Sequence, residues 1–172
     1  RNGKGVLLLL RVFDRLPAIN FDALMELYSE SNRDNALEFH PQEEPGRALA
    51  LVERSFEDYL REDFFRQKDA FYAVWQVAGQ YVSALRLEPY GDGWLLEALE
   101  TAPNHRKQGY AKALMAEVLD MMGESAVYSH VSRRNEASLR THYACGFQRQ
   151  SGQLYHLPEY HCPIPDRLCH LM

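Results

Sequence analysis

The stretch best equipped for chemistry is Leu95 to Ala116, where an apolar strand-like run passes through Arg106-Lys107-Gln108-Gly109-Tyr110-Ala111 into an amphipathic helix. A glycine where a chain turns into a helix leaves several backbone N–H groups without intrahelical partners, and the helix dipole adds partial positive charge at that end. Arg106, Lys107 and Lys112 place cationic side chains around the same point, a combination that suits a pyrophosphate better than a single carboxylate. The plain alternative is a polar loop with a helix-start glycine and solvated cations. A Gly-x-x-x-x-Gly-Lys-Ser/Thr loop is absent and no Gly-x-Gly-x-x-Gly follows a strand, which disfavours nucleoside triphosphates and dinucleotides.

A second segment, Asn135-Glu136-Ala137-Ser138-Leu139-Arg140-Thr141-His142-Tyr143-Ala144-Cys145-Gly146-Phe147, reads as a helix capped by Asn135 and stopped at Gly146. Arg106, Gly109 and Ala111 at the start of one helix, with Asn135, Ser138, Tyr143 and Gly146-Phe147 across the next, resemble the two signature motifs of the GNAT acyl-CoA N-acyltransferase superfamily. Leu96-Glu97-Ala98-Leu99 and Pro103 resemble it as well. The match is strongest from Leu95 to Phe147, and Asp166 to Met172 resembles the family's closing strand.

The resemblance implies an enzyme that moves an acetyl group from acetyl-CoA to a primary amine by direct attack in a ternary complex, with no metal. It implies that the turn Arg106, Lys107, Gln108, Gly109, Tyr110, Ala111 and Lys112 holds the coenzyme A pyrophosphate. Backbone groups near Leu99 and Thr101 would meet the pantetheine arm in a gap between splayed strands, and Asn135 and Ser138 would touch the cofactor. Tyr143 resembles the family's general acid, protonating the leaving thiolate; with tyrosine near pKa ~10 and a thiol near ~8.5, such a donor is reasonable if the thiolate is desolvated. Simple packing of Tyr143 beside Leu139, and plain capping by Asn135, stand as the alternatives.

The acceptor amine must also lose a proton, and Glu97 and Glu100 are the candidate bases. On a regular strand their spacing turns them to opposite faces unless a bulge intervenes. Glu97 is preferred on the resemblance, Glu100 lies closer to the loop, and His130 is a third option. The tail carries His161-Cys162 and Cys169-His170, but their spacing fits no usual zinc pattern, so no metal site is expected. Cys145 reads as a small packing residue, with no activating partner evident.

These residues need a scaffold, and the hydrophobic periods supply one. Strands are expected at Val6 to Phe13, Phe71 to Val77, Tyr81 to Leu87, Trp94 to Thr101 and Ala126 to Val131, with two more in the tail around Pro158, Pro163 and Pro165. Helices are expected after Asn20, from Leu49 to Phe64, from Gly109 to Gly123 and from Glu136 to Cys145, with Ser31 to Pro45 as an exposed loop. The sum is an α/β (α+β) fold: a mixed, mostly antiparallel central sheet with helices on both faces, expected as a single domain over 1–172.

With 172 residues, 46% hydrophobic, 25% charged and a net charge of −5, the composition is that of a packed globular chain and disfavours nucleic acid or an anionic membrane as partner. No apolar run is long enough to span a bilayer, and three sparse cysteines suit a reducing cytoplasm. Glu43 and Glu44, in the expected loop, weakly favour a cationic acceptor. A non-catalytic acyl-CoA-binding sensor and a succinyl-CoA enzyme are the alternative functions, and unpaired sheet edges allow a homodimer.

Overall fold

The computed structural model describes residues 7–157. Its seven strands form one sheet in the order β1-β2-β3-β4-β5-β7-β6. These are β1 (Leu8–Phe13), β2 (Phe71–Val77), β3 (Gln80–Tyr90), β4 (Gly93–Thr101), β5 (Val127–Ser129), β6 (Gln148–Gln150) and β7 (Gln153–His156). Every neighbouring pair is antiparallel except β4 with β5. The helices are α1 (Phe21–Leu27), α2 (Ser29–Phe39), α3 (Pro45–Glu62), α4 (Tyr110–Met122) and α5 (Glu136–Ala144).

Side-chain alternation along the strands sends apolar residues to both sides of the sheet. On one side Tyr72, Val74 and Ala84 pack with Leu24, Leu27, Leu60 and Phe64, which brings α1 and α3 onto that face. On the other, Ala73, Leu85, Leu87 and Leu96 pack with Leu114, Met115 and Val118 of α4. The expected mixed sheet with helices on both faces is therefore the fold observed.

Two expectations change. The segment Ser31 to Pro45 is a loop only over residues 40–44: α2 runs through Phe39. Its residues are polar and lack an apolar stripe, so periodicity hides it; Ala36 packing on Ala48 and Val52 of α3 holds it in place. Glu44 then accepts N–H bonds from Gly46 and Arg47 and caps α3, while Glu43 pairs with Arg47 at 3.3 Å. Both carboxylates serve α3 rather than an acceptor site. The tail hairpin turns at Ser151-Gly152, ahead of the prolines. Pro158, Pro163, Pro165, the histidine and cysteine cluster and the Asp166 to Met172 strand lie outside the described residues.

Two local distortions shape the centre of the sheet. Opposite β3, Ala84 pairs with Glu100 and Arg86 pairs with Glu97, so β4 spends one residue more than its partner over this stretch. The extra residue is a bulge at Ala98, whose φ is +54°. The parallel pairing of β4 with β5 also ends at Leu96 with Ser129, although β4 continues to Thr101. Beyond that point the two strands part.

Candidate active site

Where β4 leaves β5, a small cleft of about 180 Å³ opens between Leu96–Leu99 and Ser129–Ser132, with Asn135, Ser138 and His142 of the α5 segment along it. It adjoins a larger groove of about 650 Å³, lined by Leu99, Glu100 and Thr101 on one side and by the α4 and α5 starts on the other. Arg106, Lys107, Gly109, Tyr110, Ala111, Lys112, Asn135 and Ser138 all line this groove. Of the residues expected at the cofactor, only Gln108 is absent from its walls.

The α4 start makes the sharp, uncapped turn into a helix expected from its residues. Lys107 and Gly109 have φ of +60° and +82°, turning the chain sharply into the helix, and no side chain caps α4. Its first-turn N–H groups are thus left to a ligand or solvent. A Cβ on Gly109 would meet no protein atom within 4 Å, so the space before this turn is open to a close approach. Arg106 is committed elsewhere: its guanidinium bridges to Glu30 on α2 at 2.9 Å and 3.1 Å, and its Nε donates to the Thr101 carbonyl. Among the described residues Lys107 and Lys112 carry no such ion pair.

The bulge at Ala98 decides the geometry of the two glutamates. It turns both Glu97 and Glu100 to the α1–α3 face, while Leu96 and Leu99 pack on the α4 side. Glu97 is held 3.4 Å from Arg86. Glu100 instead accepts a 2.7 Å hydrogen bond from Ser31 Oγ of α2 and lies 3.9 Å from Arg106. Its side chain is 17% exposed. Burial raises its pKa above the ordinary carboxylate value, against the lowering effect of the Ser31 hydrogen bond and Arg106.

Glu100 is also the hinge between two spaces. Besides the groove, it lines a cavity of about 560 Å³ walled by α2, α3, Arg86 and Ala98. Ser31 is shared in the same way. Within the cavity, Tyr28 hydrogen-bonds the Ala98 carbonyl and receives a hydrogen bond from the Tyr72 hydroxyl, bracing the bulge from below.

Tyr143 is placed differently from the expected acid. It is 47% exposed on the outer side of α5 and accepts a 3.4 Å hydrogen bond from Arg149 Nε, and it lines neither the cleft nor the groove. The position facing the cleft belongs to His142, one residue earlier and 1% exposed. His142 Nδ1 donates to the Ser138 carbonyl at 2.8 Å, and Nε2 faces Ser129 Oγ at 3.0 Å. Burial lowers its pKa. Asn135 caps α5 by accepting the Ser138 N–H, so its capping alternative holds while it still lines the groove. His130 interacts with Gln153 at 3.2 Å and borders the cleft.

Sequence reasoning missed Ser31 and Glu30, hidden in an unrecognised helix, and the Arg86 and His142 contacts. Arg86 carried one signal, a charge inside the apolar strand run Tyr81 to Leu87. Among the described residues no cluster of His, Cys, Asp and Glu has metal-binding proximity, and no helix is long and apolar enough to cross a membrane.

A parallel pair that splays beside an uncapped helix start, within a mostly antiparallel sheet, is the arrangement that the resemblance to acyl-CoA N-acyltransferases implied. A sequence model described as the Acetyltransferase (GNAT) family matches residues 22–147, and the chain belongs to that family. No curated protein matches the chain. Solved structures of similar fold include the PaiA N-acetyltransferase of Thermoplasma acidophilum in complex with coenzyme A, 14% identical over 88% of this chain and 99% of that one, TM-score 0.62. An N-acetyltransferase from Staphylococcus aureus Mu50 is 17% identical over 85% and 97%, with a TM-score of 0.61. The aminoglycoside N-acetyltransferase AAC(6')-Iy in complex with CoA is 17% identical over 94% and 99%, with a TM-score of 0.54.

Proposed function

We propose that this chain transfers an acetyl group from acetyl-CoA to a primary amine by direct attack within a ternary complex. The observation that carries the reading is the position of Glu100, which lines both the groove and the cavity behind it. Bound acetyl-CoA supplies the activated thioester. The open space before Gly109 and the free N–H groups of the α4 first turn fit its pyrophosphate, with Lys107 and Lys112 beside them. The splayed strands leave backbone groups near Leu99 and Thr101 for the pantetheine arm.

The acceptor amine enters from the cavity, and its proton passes to Glu100. Burial makes this carboxylate a stronger base than an exposed one, and Ser31 keeps it oriented toward the boundary of the two spaces. Glu97, matched by Arg86, keeps a charge-pairing role. The thiolate departs into a groove open to water and, with a thiol pKa near ~8.5, takes its proton there without a dedicated acid. His142 is a positioning residue: it locks α5 onto β5 so that Ser138 and Asn135 face the cleft. Holding amine and thioester together supplies most of the acceleration.

The test is calorimetric titration of the full chain with acetyl-CoA and desulfo-CoA, repeated for Gly109→Val. Saturable binding that weakens at least tenfold in the variant supports the site. No binding by folded protein at millimolar ligand overturns it.

A further inference from the structure

The cavity behind Glu100 joins an aromatic side to polar groups, Asn35, His40 and Ser55 among them. Tyr28, Phe56 and Tyr59 present rings to it, with Phe39 at the α2 end. Tyr28 and Phe56 lie 5.3 Å apart, centre to centre. The hydroxyl of Tyr28 is already engaged with the Ala98 carbonyl and with Tyr72, so its ring rather than its polar tip is on offer. At about 560 Å³ the space is of the size that holds a small organic molecule.

Its charged walls are Arg86 and Glu100, while Glu97, the partner of Arg86, does not line it. Arg86 is paired with Glu97, and its guanidinium lies 4.9 Å from the ring centre of Tyr59 and 5.9 Å from that of Phe56. Arg106 is paired with Glu30. Among the described residues around this junction, Glu100 is the carboxylate left over, and it stands at the end of the cavity that meets the groove. One ammonium group is therefore welcome, and at that end. A second ammonium deeper in the cavity would face the guanidinium of Arg86, which cannot give up its proton, with no second carboxylate in the lining to receive it.

We infer that the acceptor is a monoamine with an aromatic or apolar body, an arylalkylamine, rather than a polyamine or an aminosugar. The inference rests on the acetyl-transfer reading and adds the substrate class. The amine sits at Glu100, the ring lies among Tyr28, Phe56 and Tyr59, and Arg86 rejects further positive charge.

The experiment uses the full chain with acetyl-CoA and compares phenethylamine, spermidine and kanamycin A as acceptors, reading N-acetylated product by mass spectrometry. Acetyl-CoA affinity is measured separately by calorimetry. A kcat/KM for phenethylamine at least tenfold above those for spermidine and kanamycin A is expected. Ser55→Trp, made at an exposed cavity-lining position, should raise KM for phenethylamine at least fivefold and leave acetyl-CoA affinity unchanged. Equal or better turnover of spermidine or kanamycin A overturns the substrate class and leaves acetyl transfer standing. Acetyl-CoA binding without phenethylamine turnover also overturns the class alone. Loss of acetyl-CoA binding itself in the wild-type protein overturns the underlying reading.

Discussion

Glu100→Gln separates the base from its surroundings with almost no change of shape. The amide oxygen of glutamine still accepts the Ser31 hydroxyl now held at 2.7 Å, so α2 keeps its tie to β4, while the negative charge beside Arg106 and the capacity to take a proton are lost. A positioned general base contributes about 100-fold to 10,000-fold, so kcat/KM should fall by at least about 100-fold while acetyl-CoA affinity stays within about twofold. The pH dependence carries the same signature. Burial raises the Glu100 pKa, so the wild-type kcat/KM falls on the acid side with an inflection above the ordinary carboxylate value, and Glu100→Gln loses that inflection. Stability moves the other way. A carboxyl whose pKa is raised by folding stabilises the native state below its unfolded pKa, and that stability is lost as pH rises through the folded value. At neutral pH the glutamine variant should therefore unfold at the same temperature as wild type or higher, and the difference should vanish in acid. Steady-state kinetics from pH 5 to 9 with thermal melts across the same range make the measurement. A folded variant that keeps kcat/KM within about fivefold, or an equal loss in Glu97→Gln at unchanged stability, refutes the assignment.

Three further outcomes follow from the same geometry. Gly109→Val, forced to the left-handed φ of +82°, should cost about 1–2 kcal/mol of stability, visible as a melting temperature lower by several degrees. Its acetyl-CoA affinity should fall by more than that strain explains, because the new side chain occupies the open space before the turn. Tyr143→Phe should keep kcat within about twofold, whereas His142→Ala, which empties a buried site and removes the hydrogen bonds to Ser129 and Ser138, should cost about 2–4 kcal/mol by chemical denaturation. Arg106→Ala removes a cation that lowers the Glu100 pKa, so the acid inflection of kcat/KM should move to higher pH; an unmoved inflection would detach Arg106 from the site.

What the sequence made legible is what short-range chemistry encodes. Gly109 at a helix start, Asn135 as a cap accepting the Ser138 N–H, and the apolar stripe of α4 each depend on residues within one or two turns, and each stands in the structure where the residue types put it. The strands from Phe71 to Thr101 were legible because period-two burial against two helical layers leaves a strong pattern. The α2 helix was not, because its apolar contact with α3 rests on Ala36 and its other ties run through the polar Glu30, Ser31 and Asn32, so it has no apolar stripe to read.

The acceptor side depends on features with no local signal at all. Ala98 takes a positive φ without being glycine or asparagine, and the reason lies in other strands and helices: Tyr28, itself braced by Tyr72, holds its carbonyl. That single inserted residue is what turns Glu97 and Glu100 to one face, so a spacing rule for regular strands separates two carboxylates that the fold brings side by side. The exchange of Tyr143 for His142 at the cleft is the helical counterpart, since one residue step rotates a side chain by about 100°. In the proposed reading the cofactor end is written in contiguous motifs, because the groups assigned to it are backbone N–H groups of one uncapped helix start. The acceptor end we propose is written in the meeting of β4 with α2 and α3, where the choice of Glu100 as base rests on a bulge and on a serine contributed 69 residues away in the chain.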